Sequence, residues 1–219
     1  MEHLIPIPFL VITVSLLVRA EFKGDKRQVY VFKPLSTLLV IVTALLSLLT
    51  PDAQPSFTLW VTLGLVLSLG GDVALMFESN RAFLIGLVLF LLAHVIYCIA
   101  FTLPNGFHSA DLITGAILLA VAVASYRYLA PGLGQMKGPV IFYILVICFM
   151  VNRAASAFFG DAFSTTQAWL MTLGAILFLL SDLVLAINRF RHPFEANRFG
   201  LFLYYGGQLL IALSASYFS

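Results

Sequence analysis

Ionisable side chains inside apolar segments are the residues of this sequence that point most directly to chemistry. Asp72, His94, Arg153 and Asp182 lie within long hydrophobic runs, and each such group costs roughly 2.5 to 3.5 kcal/mol to place in hydrocarbon. Groups kept at that cost usually transfer protons, bind ions or contact substrate. Two carboxyl groups in one low-dielectric site can divide these tasks, because one can hold a proton while the other stays ionised.

The two aspartates have matching surroundings. Gly70-Gly71-Asp72 and Leu180-Ser181-Asp182 each lead into a short apolar stretch that finishes a predicted helix. Each carboxyl is five or six residues from that helix end, which at 1.5 Å per residue is about 8 to 10 Å below the membrane interface. A shared depth allows the two groups to meet if their helices are neighbours. The next segments begin alike, with Asn80-Arg81 and Asn197-Arg198, which indicates a weak repeat of helix pairs.

Other residues fall at helical spacing and would line a common pocket if their faces turned inward. The spacing of Gly64, Ser68 and Asp72 predicts a small-residue seam that lets a neighbouring backbone approach the carboxyl. The other residues predicted to line this pocket are Phe90, His94, Tyr97 and Phe101 on the fourth apolar segment, Asn152 and Arg153 on the sixth, and Tyr204, Tyr205 and Gln208 on the eighth.

Each of these residues also has a structural interpretation. A buried Asp can accept hydrogen bonds that fix helix register, and His94 can donate to a backbone carbonyl without further purpose. Arg153 can extend outward or pair with Asp161. Tyrosine and phenylalanine stripes commonly serve packing alone.

Eight apolar stretches are long enough to cross about 30 Å of hydrocarbon. Hydrophobic residues make up 61% of the chain and charged residues only 10%, against about a quarter charged in a soluble domain. We therefore predict an all-α polytopic bundle in a single domain, 1–219, with Pro- or Gly-containing breaks such as 51–55. The stretches are 4–18, 34–50, 58–77, 82–103, 111–130, 139–159, 166–188 and 199–218.

The ends of the chain and its cysteines add two expectations. The first stretch lacks a basic flank and a small-x-small cleavage site, so we expect a retained helix and not a signal peptide. Cys98 and Cys148 each lie inside an apolar run and are expected to be small buried hydrophobes.

Basic residues test the helix count independently, because Lys and Arg collect in cytoplasmic loops. Eleven of the twelve fall in the connections between segments one and two, three and four, five and six, and seven and eight. The twelfth is Arg153. This pattern predicts eight transmembrane helices with both termini on the non-cytoplasmic side. The net charge of +2 is too small to indicate a nucleic-acid partner.

The sequence lacks Gly-x-Ser-x-Gly, His-Glu-x-x-His, Gly-x-Gly-x-x-Gly and Walker motifs. Serine-esterase, zinc-protease and nucleotide-driven mechanisms therefore lose support. We expect neither a metal nor another cofactor.

Several short motifs together resemble a known family. They are Phe32-Lys33-Pro34-Leu35, Gly71-Asp72, Ala93-His94 with Tyr97, Arg153-Ala154, Leu180-Ser181-Asp182 and Tyr204-Tyr205-Gly206-Gly207-Gln208. Their order and spacing, from Lys33 to about Ser214, are similar to the YhhN-type lysoplasmalogenase family of eight-helix membrane proteins.

The resemblance implies hydrolysis of the vinyl ether of a lysoplasmalogen to a fatty aldehyde and a glycerophospho-ethanolamine or glycerophospho-choline. Asp72 and Asp182 would be catalytic, because protonation of an enol ether leaves an oxocarbenium ion, as in glycosidases. Lys33, Arg81, Arg189 and Arg198 lie at the interface where the lipid phosphate would bind. The predicted substrate-binding residues are Lys33, His94, Tyr97, Asn152, Arg153, Tyr204, Tyr205 and Gln208.

The expected partners are therefore a lysophospholipid substrate and membrane lipid, in a multi-pass protein of a bacterial inner membrane. The main alternative is a proton- or cation-coupled transporter that uses the same Asp pair. The sequence offers no Gly or Pro break at mid-membrane to support alternating access. A non-catalytic scaffold would leave the matched Asp depths unexplained.

Overall fold

The computed structural model describes residues 2–51 and 53–218, and every regular element in them is helical, which confirms the all-α class. The predicted break at 51–55 includes Asp52, which lies outside the described residues. Seven of the eight long helices in the described ranges are long and apolar enough to cross a membrane. The eighth has 15 residues in α conformation and follows directly on a 3-10 turn, Glu195–Phe199. The helices are α1 (Pro6–Lys23), α2 (Lys26–Leu46), α3 (Pro55–Leu75), α4 (Asn80–Asn105), α5 (Asp111–Leu129), α6 (Lys137–Ala155), α7 (Thr165–Phe190) and α8 (Gly200–Ser214).

The first connection is shorter than the sequence predicts. The apolar stretches 4–18 and 34–50 predict a connection over 19–33, and this prediction is wrong, because α1 and α2 extend until only Gly24 and Asp25 separate them. Gly24 has a φ of 64°, the left-handed conformation that ends a helix. The Asp25 side chain then accepts hydrogen bonds from two backbone N–H groups of the first turn of α2. Charged residues continue these helices beyond the apolar span, so hydrophobicity alone does not locate their ends.

Side-chain contacts gather the four basic connections at one end of the bundle, which we call the basic end. At the opposite end, the rings of His3 and Tyr217 pack edge to face with their centroids 5.8 Å apart, so both ends of the described chain lie together. The membrane face that each end occupies stays a prediction. The contacts at the basic end are Lys26 with Glu78, Arg189 with Asn80, Arg191 with the Tyr128 ring and Arg198 with the Phe22 ring.

Two helix pairs, α3 with α4 and α7 with α8, pack most extensively. In the second pair Gly174 and Gly207 bring the backbones together, since a Cβ on Gly207 would lie 2.7 Å from the Gly174 carbonyl oxygen. In the first pair Gly64 instead faces the Tyr97 ring. The expected approach of a neighbouring backbone therefore fails at Gly64, but the α4 backbone does come close beside Asp72, since a Cβ on Gly86 would lie 3.4 Å from the Gly71 carbonyl oxygen.

Candidate active site

One cavity at the basic end brings the two predicted catalytic carboxyls onto a common surface. Asp72 and Asp182 both line it, and its volume is about 340 Å³. Its walls come from α1, α2, α3, α4, α7 and α8 and from the connections that precede α4 and α8. The helices α3 and α7 thus face one space instead of packing side by side, with α8 in contact with both.

Asp72 lies among three donors. Its Oδ2 atom accepts hydrogen bonds from the hydroxyls of Thr37, at 2.6 Å, and Tyr204, at 2.7 Å. The Lys33 ammonium is 3.7 Å from Oδ1. The Asp72 side chain is only 3% exposed, and several donors around one buried carboxyl are what a carboxylate needs when bulk water is excluded.

A chain of hydrogen bonds extends from Asp72 into the bundle. The hydroxyl of Tyr97 donates to Gln208 at 2.8 Å, and the Gln208 amide donates to Tyr204 at 3.3 Å. Tyr205 donates to the backbone carbonyl of Lys33 at 2.9 Å. Five of the predicted substrate-binding residues therefore meet around Asp72, where their hydrogen bonds fix the position of its carboxyl group.

Asp182 has a different environment. Tyr143 donates a hydrogen bond to its Oδ2 atom, and Nε2 of His94 is 4.0 Å from the same oxygen. Neither ring nitrogen of His94 has a hydrogen-bond partner in the described part of the chain. The alternative in which His94 merely donates to a backbone carbonyl is therefore wrong; the ring packs edge to face against Phe178 and Tyr143.

An apolar pocket of about 70 Å³ adjoins the cavity. Leu75, Phe83, Phe90, Asp182 and Leu185 line both spaces, so Asp182 lies where the polar surface meets the apolar one. The rest of the pocket is formed by hydrophobic side chains of α4, α5, α6 and α7, together with Tyr143 and Ser125. Together the two spaces offer adjoining polar and apolar surfaces to a ligand.

Asn152 and Arg153 lie in a separate cluster at the opposite end. The Arg153 guanidinium is fully buried and donates to Asp111 Oδ2 at 2.8 Å, to the Gly106 carbonyl at 2.8 Å and to Ser156 at 2.5 Å. The alternative in which Arg153 pairs with Asp161 is wrong, because Asp111 at the start of α5 occupies that place. Asn152 donates to the Asp111 carbonyl at 2.9 Å. The substrate-binding role of both residues stays a prediction.

Basic residues surround the mouth of the cavity. Of the four predicted to receive a phosphate, Lys33, Arg189 and Arg198 line the cavity, whereas Arg81 is not among its lining residues. Lys26 donates a hydrogen bond to Glu78 at 2.9 Å, and this contact lowers the pKa of the Glu78 carboxyl.

Sequence reasoning missed three residues that complete these clusters. Thr37 follows Lys33 by four residues on α2, so helical spacing could have placed both beside Asp72. Tyr143 carries a hydroxyl group within the otherwise apolar stretch 139–151, and that contrast was the available indication. Asp111 begins an apolar segment, so hydropathy marks it as a helix boundary and does not indicate a contact with Arg153.

The order of these motifs along the chain can be compared with that in known proteins. Residues 28–215 match the model of the YhhN family. The chain belongs to the YhhN family. This membership confirms the resemblance predicted from the motifs. No solved structure matches the chain.

Curated relatives of this YhhN-family chain include lysoplasmalogenases. It is 34% identical to lysoplasmalogenase TMEM86A of Bos taurus over 159 residues, covering 71% of this chain and 64% of that protein. It is 35% identical to lysoplasmalogenase TMEM86B of Homo sapiens over 156 residues, with coverages of 69% and 61%. The match thus spans slightly less than two thirds of each relative. The uncharacterized membrane protein YhhN of Escherichia coli O157:H7 is 27% identical over 219 residues, covering 94% of this chain and 97% of that protein.

Proposed function

We propose that this protein is a lysoplasmalogenase, which hydrolyses the vinyl ether of a lysoplasmalogen to a fatty aldehyde and a glycerophosphodiester. The observation that carries the proposal is the single cavity onto which Asp72 and Asp182 both open, at the end of the bundle that gathers the basic residues. The names of the mammalian relatives support the same activity.

The shape of the site suits a single-chain phospholipid. The vinyl ether of such a lipid lies between its charged headgroup and its apolar tail. Asp182 has the same intermediate position, because it lines both the polar cavity and the apolar pocket. The cavity takes the headgroup and the glycerol, the pocket takes the first carbons of the alkenyl chain, and the remaining carbons extend into the bilayer.

The two carboxyls have different roles in this proposal. Asp72 is the ionised partner, because Lys33, Thr37 and Tyr204 surround it with positive charge and hydrogen-bond donors. Asp182 is the acid, since Tyr143 is its single hydrogen-bond donor among the described residues and the adjoining pocket is apolar. The division resembles the paired carboxyls of glycosidases, one in a polar and one in an apolar environment.

The first step is proton transfer from Asp182 to the β-carbon of the vinyl ether. The carbon–carbon double bond supplies the electron pair for the new C–H bond, which leaves an oxocarbenium ion conjugated to the glycerol oxygen. The Asp72 carboxylate stabilises this cation electrostatically and accepts a proton from the water that attacks it.

The second step is collapse of the hemiacetal that results. The bond between the acetal carbon and the glycerol oxygen breaks as Asp72 returns its proton to that oxygen. The hemiacetal hydroxyl gives its proton to Asp182, and the products are the aldehyde and the free glycerol hydroxyl. Both carboxyls regain their initial states, so the reaction consumes only water.

The test is release of aldehyde by the purified protein from 1-alkenyl-glycerophosphoethanolamine in detergent micelles, without added metal or nucleotide. The matched control is the 1-alkyl analogue, whose saturated ether has no carbon that an acid can protonate. We expect aldehyde from the first lipid and none from the second.

The transporter alternative makes the opposite prediction. Substrate-dependent proton flux into sealed vesicles with no aldehyde formed would contradict the hydrolase proposal and support a carrier. We also propose a bacterial inner membrane as its location. The near full-length similarity to the Escherichia coli membrane protein supports this placement, and fractionation of the native host would test it.

A further inference from the structure

Three charged residues around the cavity form no ion pair within the described part of the chain, although Lys33 pairs there with Asp72 and Glu78 pairs with Lys26. Glu21, Arg189 and Arg198 all line the cavity, yet none of them takes part in an ion pair among the described residues. Arg189 donates to the Asn80 amide oxygen, and the Arg198 guanidinium lies over the Phe22 ring, 5.0 Å from its centroid. The site therefore offers separated positive and negative groups to a ligand.

Glu21 is also unfavourably placed for the helix that carries it. It lies in the last turn of α1, which ends at Lys23, and a carboxylate near a helix C-terminus is repelled by the exposed carbonyl groups. The side chain is partly buried and makes no hydrogen bond within the described ranges. Neither helix stability nor an ion pair explains why a carboxylate stands at this position.

The opposite charges line one cavity. Arg198 stacks on Phe22, the residue that follows Glu21, so Arg198 contacts the last turn of α1, the turn that brings Glu21 to the cavity. Glu21 and Arg198 form no ion pair, so their charged atoms are more than 4.0 Å apart. A ligand that carries a phosphate and an ammonium a few bonds apart would satisfy both groups.

We propose that Glu21 is the specificity-determining residue that binds the ammonium group of a zwitterionic headgroup, while Arg189 and Arg198 bind its phosphate. The inference rests on the proposed function for the identity of the lipid, and it adds the residue that selects the headgroup. The ammonium of phosphoethanolamine would supply the positively charged partner that Glu21 lacks among the described residues. An anionic lipid without an ammonium would leave Glu21 facing like charge and would bind less tightly.

The experiment measures binding without hydrolysis. The dissociation constants of 1-alkyl-glycerophosphoethanolamine and 1-alkyl-glycerophosphate, which lack the vinyl ether, are determined by calorimetry in detergent for wild type and Glu21→Gln. We expect Glu21→Gln to raise the Kd of the ethanolamine lipid about tenfold and to leave that of the phosphate lipid unchanged or lower. Arg198→Gln is expected to weaken both lipids.

The control is Glu195→Gln, the same substitution at an exposed residue that does not line the cavity; it should change neither Kd. An unchanged Kd for the ethanolamine lipid in Glu21→Gln, or an equal rise for both lipids, would overturn the assignment. Because the probes are not cleaved, a failure here is distinguishable from a failure of the proposed hydrolysis, which appears as absence of aldehyde from the 1-alkenyl lipid.

Discussion

The two ends of the bundle both contain buried charges, but they use them differently. At the opposite end, the Arg153 guanidinium is fully buried and contacts Asp111, Ser156 and a backbone carbonyl, and it also lies over the Phe107 ring. At the basic end, Asp72 and Asp182 open onto a cavity of about 340 Å³.

This difference separates charges that hold helices together from charges that are available to a ligand. Arg153 on α6 and Asp111 on α5 form a buried ion pair across a helix interface, which fixes the register of those helices, although Asp111 Oδ1 and Arg153 Nε have no hydrogen-bond partner among the described residues. Asp182 has its Oδ1 atom free of hydrogen bonds to any described residue and lines the cavity. The accessible space beside the charge, and not intramembrane charge alone, therefore distinguishes the two ends.

The largest expected effect comes from the same substitution made at each end. Asp182→Asn keeps the size of the side chain but removes its acidic proton, so kcat for aldehyde release should fall about 100- to 10,000-fold. Asp111→Asn should leave kcat per folded molecule near the wild-type value and lower the thermal unfolding midpoint. Aldehyde assays and thermal unfolding in detergent measure the two quantities. A loss of kcat in folded Asp111→Asn would contradict the division between the ends.

Arg153→Met tests the end of the bundle opposite the basic end by itself. The Met side chain leaves the Asp111 carboxylate without its cation, and we expect a loss of about 3 kcal/mol in the free energy of unfolding. Denaturant titration in mixed micelles checks this value. A raised KM with unchanged stability would instead support the substrate-binding role that the sequence predicts for Arg153.

Tyr143→Phe sharpens the assignment of roles at the basic end. It removes the hydroxyl that donates to Asp182, and we expect kcat to fall about tenfold, as loss of a hydrogen bond to a carboxyl group would produce. The pH–rate profile should shift as well, which a packing defect would not cause. Tyr30→Phe, at an exposed position on α2, is the matched control, and equal effects of both substitutions would count against the role of Tyr143.

Thr37→Val should have the smallest effect. It removes one of three donors to Asp72 while keeping the shape of the side chain, so kcat/KM should fall about fivefold, the value of one net hydrogen bond. Thr43→Val is the comparison, because the Thr43 hydroxyl donates only to the Leu39 carbonyl on the same helix. Indistinguishable kcat/KM values for the two variants would show that Thr37 does not support Asp72.

Much of the fold could be predicted because membrane burial imposes simple constraints on sequence. Hydrophobic length located the helices, and the grouping of basic residues agreed with the contacts that join their connections at one end. The start of α2 was missed by eight residues, since Lys26 and its neighbours extend the helix outside the apolar span and Pro34 is tolerated inside it. Hydropathy does not detect the part of a helix that extends beyond the hydrocarbon core of the membrane.

Predicting the site met a different limit. Matched helix depth was sufficient to relate Asp72 to Asp182, because depth depends only on position along a helix. The partners of each carboxyl depend on which helix faces turn toward one another, and sequence spacing within one helix does not contain that information. Spacing therefore does not identify Asp111 as the partner of Arg153, nor Tyr143, which is 39 residues from Asp182 in sequence, as the partner of Asp182.

The most direct test of the central claim is kcat for aldehyde release by Asp72→Asn, Asp182→Asn and the double variant, measured together on folded protein. If the two carboxyls act as one unit on one substrate, each single variant loses most of the activity and the double variant is about as slow as the slower single variant. Wild-type kcat in either single variant, or losses that multiply in the double variant, would contradict the account.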